Sequence, residues 1–223
     1  MRRFIYLSFA VFVAACGQQD AGTETTTAAD ATADTRTETE RLNEWFEERY
    51  EEQLQQSPIQ LTFIGRKERY DEVDDLSEET EKQQLDWLRA TVEEMEREFD
   101  YDALTPEAQV SYDIWKYQYE NTAANYEFRG NNYIFTQMFG PQSWIPTLLS
   151  NFHRVETPED MDAYIKRVGG FGRAMNQLID RAQAYAQNGV RPPRFAYEGV
   201  IEQAEAVIKG APFDDGEPSS LQA

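Results

Sequence analysis

The feature that most constrains this chain is the period of its apolar residues. From residue 37 onward they recur every three to four positions, and no run alternates at period two for long enough to make a sheet. A chain with that single period must bury one stripe per helix against other helices, so the fold class is all-α. Leu42, Trp45, Phe46, Tyr50 and Leu54 form one stripe over 37–56, which Ser57-Pro58 stops. Ser77 caps a second helix running to about Phe99, with Leu85, Leu88, Val92, Met95 and Phe99 on one face. That seam has heptad spacing over only two heptads and reads as intramolecular packing. Thr105-Pro106-Glu107 and Thr157-Pro158-Glu159 are strong starts: an N-cap, Pro at the first helical position, then an acid. The first opens a helix to about Glu127 with Val110, Ile114 and Tyr117. The second opens the clearest helix, with Met161, Tyr164, Ile165, Val168, Met175, Leu178, Ile179, Ala182 and Tyr185, closed by Asn188-Gly189. A last helix is expected over 197–209, carrying Val200, Ile201, Ala204, Val207 and Ile208. Between them, 59–75 reads as a loop with a short apolar run that could be a strand, and 129–146 as irregular. Residues 147–152 read as a helical turn. The expectation is an irregular bundle of about five main helices over 37–211, followed by a polar tail over 212–223.

The segment before the bundle is an address. Arg2 and Arg3 precede a twelve-residue apolar run, too short to span a bilayer, which takes about 20 apolar residues. The run ends at Val13-Ala14-Ala15-Cys16-Gly17, which resembles the bacterial lipobox; the resemblance implies lipid attachment at Cys16 and cleavage of 1–15. Residues 16–36 then form a lipidated tether without aromatic or large aliphatic residues, expected to be disordered with a span of roughly 25 Å. With Gly17 in place of an Asp resembling an inner-membrane retention signal, the expected location is the periplasmic face of the outer membrane, in an organism that has one. The expected membrane contact is the lipid anchor.

Composition removes several function classes. With 41 acids against 21 Lys and Arg, the net charge is −20, wrong for nucleic acid and for a polybasic grip on lipid. One Cys excludes an internal disulfide, and one His with one Cys cannot build the usual His/Cys zinc sites, so no metal ligand is assigned. That His, His153, is either a pocket donor or general base, or a hydrogen-bonded His without a chemical role. No Gly-x-Ser-x-Gly elbow accompanies it. Gly169-Gly170-Phe171-Gly172 lacks the Lys-Ser/Thr of a phosphate loop and sits inside a helical stripe, so it reads as close packing. Asp71, Asp74, Asp75, Glu78 and Glu79 do not fit a calcium loop and read as a solvated face. Arg167, Arg173 and Arg194, with Tyr133, Tyr164 and Tyr197, are residue types that line polar pockets, although their spacing does not bring them together.

Several stretches together resemble a known family. They are Leu42-Asn43-Glu44-Trp45-Phe46 with Glu51, Ser57-Pro58 with Thr62 and Gly65, Asp74-Asp75-Leu76-Ser77, and Tyr133 with Gln137-Met138 and Gly140. Later come His153-Arg154-Val155 with Asp160, Tyr164-Ile165 and Arg167, and Gly189-Val190-Arg191-Pro192-Pro193. Their order resembles the N-terminal part of the bacterial lipoprotein family called domain-of-unknown-function family 885. The resemblance implies a helical, zinc-peptidase-like architecture whose His-Glu-x-x-His site lies downstream in a longer chain. The expectation is therefore a truncated N-terminal portion, inactive alone, forming part of a substrate cleft. Zinc is expected only for a full-length member, and a peptide substrate only together with the absent half. The residues expected to face substrate are Tyr133, His153, Tyr164 and Arg167. The alternative is a non-enzymatic envelope lipoprotein that binds or interacts through its helical faces.

Overall fold

A computed structural model describes residues 36–217; the address and most of the tether lie outside the described residues. Within them are seven α-helices and two short 3-10 turns, and no strand. The α-helices are α1 (Glu38–Gln55), α2 (Pro58–Phe63), α3 (Glu78–Glu98), α4 (Pro106–Tyr126), α5 (Pro141–Asn151), α6 (Pro158–Gln187) and α7 (Arg194–Ala206). The all-α class read from the period is therefore observed. No helix among the described residues is long and apolar enough to cross a membrane.

The caps explain where the helices begin. Thr37 accepts from the backbone N–H of Glu40, whose carboxylate accepts in return from the backbone of Thr37, a closed capping box. Thr157 and Asp160 do the same at α6. Ser57 reads in sequence as a stop, but it is also a start. Its hydroxyl accepts from Gln60 N–H and donates to Asp74, with Pro58 at the first helical position. The apolar run 59–64, read as a loop or strand, is therefore mostly helix α2. Its short length hid the period. Likewise Gly140-Pro141 opens α5 inside the stretch read as irregular, and the expected helical turn 147–152 is the second half of that helix. A Cβ on Gly140 would collide with the Gln142 amide, which folds back to donate to the carbonyl of Thr136.

Two cores form. In the first, Leu42 and Trp45 of α1 meet Met95 of α3 and Ala108 and Tyr112 of α4, with Phe99 and Leu104 from the α3–α4 connection. Trp45 makes edge contacts with Phe99 and Trp115, at centroid distances of 6.0 and 5.5 Å. In the second, Ile59 of α2, Val73, and Ile145, Leu148 and Leu149 of α5 pack on Phe171 and Ala174 of α6. Each fully buried side chain of this size contributes about 1.5–3 kcal/mol. Gly170 lets the 66–76 segment approach α6 closely: a Cβ there would sit 3.0 Å from Val73 Cγ2. The close-packing reading of the glycine run holds at this position.

Several expected stripes face outward. Val110, Ile114 and Tyr117 of α4, and Met161, Ile165 and Val168 of α6, are exposed. Ile201 and Ile208 are exposed too, and the buried residue of α7 is Ala196. The side of α6 turned inward keeps Tyr164, Met175 and Tyr185 of the expected stripe and adds Asp160, Arg167, Phe171 and Ala174, with 160, 164, 167, 171 and 174 spaced by fours and threes. Its polar members disguised it. The acidic cluster is also not a free face. Asp74 accepts from Ile59 N–H at 3.0 Å, Asp75 from Gln177 at 2.9 Å, and Asp71 pairs with Lys166.

Candidate functional site

Three of the four expected substrate-facing residues come together, in a closed node. Arg167 of α6 has 0% exposure. Its Nε donates to the carbonyl of Glu72 at 3.0 Å and its Nη1 to Thr62 Oγ1 at 2.9 Å and His153 Nδ1 at 3.0 Å. Because Nδ1 accepts, the His153 proton sits on Nε2, which faces the carbonyl of Asp160 at 3.2 Å. The imidazole stacks on Tyr70 at 3.9 Å and meets the edge of Tyr164 at 5.2 Å. Tyr70 in turn accepts from Arg154 N–H at 2.7 Å and lies under the Arg167 guanidinium.

The electrostatics of the node are unusual. Among the described residues no carboxylate pairs directly with Arg167; its acceptors are carbonyls, a hydroxyl and a neutral imidazole. Burial lowers the Arg167 pKa from its ordinary value, though a guanidinium keeps its charge. Burial, reinforced by the Arg167 cation, holds the His153 pKa below 6.5. Asp160 accepts from Lys67 at 2.9 Å and from the N–H groups of Glu156 and Thr157, which brings its pKa down to about 2. The node thus ties α2, the 66–76 segment, the end of α5 and α6 together. Neither His153, Tyr164 nor Arg167 lines the cavities that follow.

The larger of those cavities is a cleft of about 860 Å³ between the first core and α6. Its walls are the end of α1, α2, the middle of α3, the second half of α4 and Tyr185 of α6. Aromatic faces come from Tyr50, Trp87, Trp115 and Tyr126. Amides come from Gln53, Gln60, Gln84 and Gln118, whose side chains make no hydrogen bond among the described residues. The charged groups at its border are engaged: Arg181 pairs with Glu81 at 2.6 Å, and Arg129 lies over the Tyr126 ring. Primary amides offer both donors and acceptors and carry no charge of their own. Sequence reading missed it because its residues come from five elements and form no local motif. The one available signal was the concentration of Gln and Asn over 53–60 and 118–132.

Tyr133, the fourth expected residue, lies elsewhere. It lines an apolar pocket of about 330 Å³ between the 132–135 segment, α6 and α7, together with Tyr197. Of the expected arginines, Arg173 donates to the carbonyl of Val73 at 2.9 Å and lines none of these cavities. Among the described residues, no group of three or more His, Cys, Asp or Glu is placed to hold a metal ion.

No curated protein and no solved structure matches this chain. Residues 58–222, which include α2 to α7, match the family model described as "Bacterial protein of unknown function (DUF885)". The chain therefore belongs to the DUF885 family of bacterial proteins.

Proposed function

We propose that this chain is the helical, N-terminal portion of a lipid-anchored, metallopeptidase-like envelope hydrolase. In this reading it forms a wall of the substrate cleft and does not catalyse by itself. The observation that carries the reading is the amide-and-aromatic cleft of about 860 Å³. A peptide main chain presents one donor and one acceptor per residue, and each free Gln of the cleft can satisfy both at once. Aromatic walls supply apolar contact without fixing a sequence. Catalytic groups and zinc belong, in this proposal, to a full-length family member. The lipobox-like Cys16 would hold the protein to the periplasmic face of the outer membrane.

The test is a titration of the purified full chain with capped, uncharged pentapeptides, followed by tryptophan fluorescence, since Trp87 and Trp115 line the cleft. The expected result is saturable binding with Kd below about 1 mM, no peptide cleavage and no stoichiometric zinc. Absence of binding, or metal-dependent cleavage by this chain alone, would overturn the proposal. Binding of neutral oligosaccharides in preference to peptides would overturn its choice of substrate. The anchor is tested separately: cells should incorporate labelled fatty acid into the wild-type chain and not into Cys16→Ser.

A further inference from the structure

The two cavities are not independent. Asn132, Ile134 and Tyr185 line both the polar cleft and the apolar pocket, so the pocket opens off one wall of the cleft. Tyr185 is the fixed part of that wall. It is buried, its hydroxyl accepts from Arg181 Nη2 at 3.1 Å, and Arg181 is itself held by Glu81 and by the carbonyl of Leu76. Gly130 lies against the same ring: a Cβ there would sit 3.5 Å away. Beyond Tyr185 the lining becomes mainly apolar, with Ile179, Ala182, Ala186, Val190 and Val200 beside the amides of Asn132 and Gln183. Ala182 and Ala186 lie one turn apart on α6, and their small side chains leave the space that larger residues would fill.

We infer that the pocket beside Tyr185 is a specificity subsite that takes one large apolar side chain, aromatic for preference, of a peptide lying in the cleft. This inference rests on the cleft reading above. The volume admits a bulky occupant. At about 330 Å³ the pocket sits at the lower end of the range of about 300–1,000 Å³ for ligand sites, which leaves ample room for one large side chain. The polarity decides the chemistry. Among the described residues no Lys, Arg, Asp or Glu lines the pocket, so a charged side chain would be desolvated there without one of these partners. Tyr133 and Tyr197, both half exposed, supply aromatic edges for a ring to pack against.

The experiment is isothermal titration of the full chain with acetyl-Gly-Gly-Phe-Gly-Gly-amide and with its counterpart carrying Ala in place of Phe. The Phe peptide should bind at least tenfold more tightly. Ala182→Leu, which fills the pocket, should reduce that ratio below threefold. Tyr197→Ala at the rim should reduce it as well, and serves if Ala182→Leu does not fold. Gln84→Ala, in the cleft, should weaken both peptides by a similar factor. Equal affinity for the two peptides in the wild-type chain would overturn the subsite and leave the cleft standing. Failure of both peptides to bind would overturn the cleft reading and the subsite with it. A ratio unchanged by both pocket variants would place the side chain elsewhere and overturn the assignment.

Discussion

Arg167 shows how a single residue can look like a site and hold the fold instead. An Arg in a run with Tyr and His is an ordinary substrate-binding signal, and its proximity to His153 was legible in neither spacing nor composition. What decides its role is that its donors already have acceptors, on elements far apart in sequence. Arg167→Ala should therefore cost about 3–5 kcal/mol in urea unfolding, because it orphans buried acceptors and opens a cavity. A loss below about 1 kcal/mol would show that the node does not bear on stability. His153 gives the node a pH dependence. Its native pKa lies below the unfolded value of 6.5, so above that pH the native node is at full strength. As pH falls through 6.5, the unfolded chain binds a proton that the native imidazole refuses, and stability declines toward the native pKa. His153→Asn, whose carbonyl can still accept from Arg167, should flatten the unfolding midpoint between pH 7 and 5.5. Asp160 acts lower: its contribution is present above pH 3.8 and is lost as the pH falls toward about 2.

At the scale of elements, the helices with strong starts were legible and their faces often were not. Ser77, Thr105 and Thr157 all cap helices as their sequence context requires, and Thr37 caps α1 as well. The heptad of α3 also packs inward, through Leu85, Val92 and Met95. In α6, however, an apolar-stripe rule selects Met161, Ile165 and Val168 along with Tyr164, Met175 and Tyr185, while the structure exposes the first three and buries a row that includes Asp160 and Arg167. Periodicity counts apolar residues, so it cannot credit a buried position occupied by a hydrogen-bonded polar one. The short helices α2 and α5 escaped for another reason. Six or eleven residues carry too few turns to show a period, and Pro58 and Pro141 read as interruptions where they are starts, while Pro146 sits inside α5. The face assignment of α6 is directly checkable. Ile165→Glu, at 62% exposure, should leave the thermal midpoint within the range of an ordinary surface change, about 0.5 kcal/mol. Phe171→Ala, at 5%, should cost about 3–5 kcal/mol. The reverse order of effects would mean that α6 is turned the other way.

Over the whole molecule, the charge of −20 and the helical class follow directly from counting residues. The cleft does not. It exists because the α1–α3–α4 core and the α5–α6 core, each closed by its own aromatic and aliphatic contacts, leave a gap walled by side chains from five elements. No local pattern encodes such a gap; it is a consequence of assembly. Its chemistry is still that of its residues: exposed amides beside partly buried aromatic faces, with Glu81, Arg129 and Arg181 at the border. The most direct measurement is hydrogen–deuterium exchange of the full chain with and without a saturating capped pentapeptide carrying one Phe. Protection should rise over 81–88 in α3, 115–126 in α4 and 179–186 in α6, and stay unchanged around His153 and Arg167. Unchanged exchange across those three segments, or protection concentrated at the His153–Arg167 node, would contradict the assignment of the cleft as the binding site.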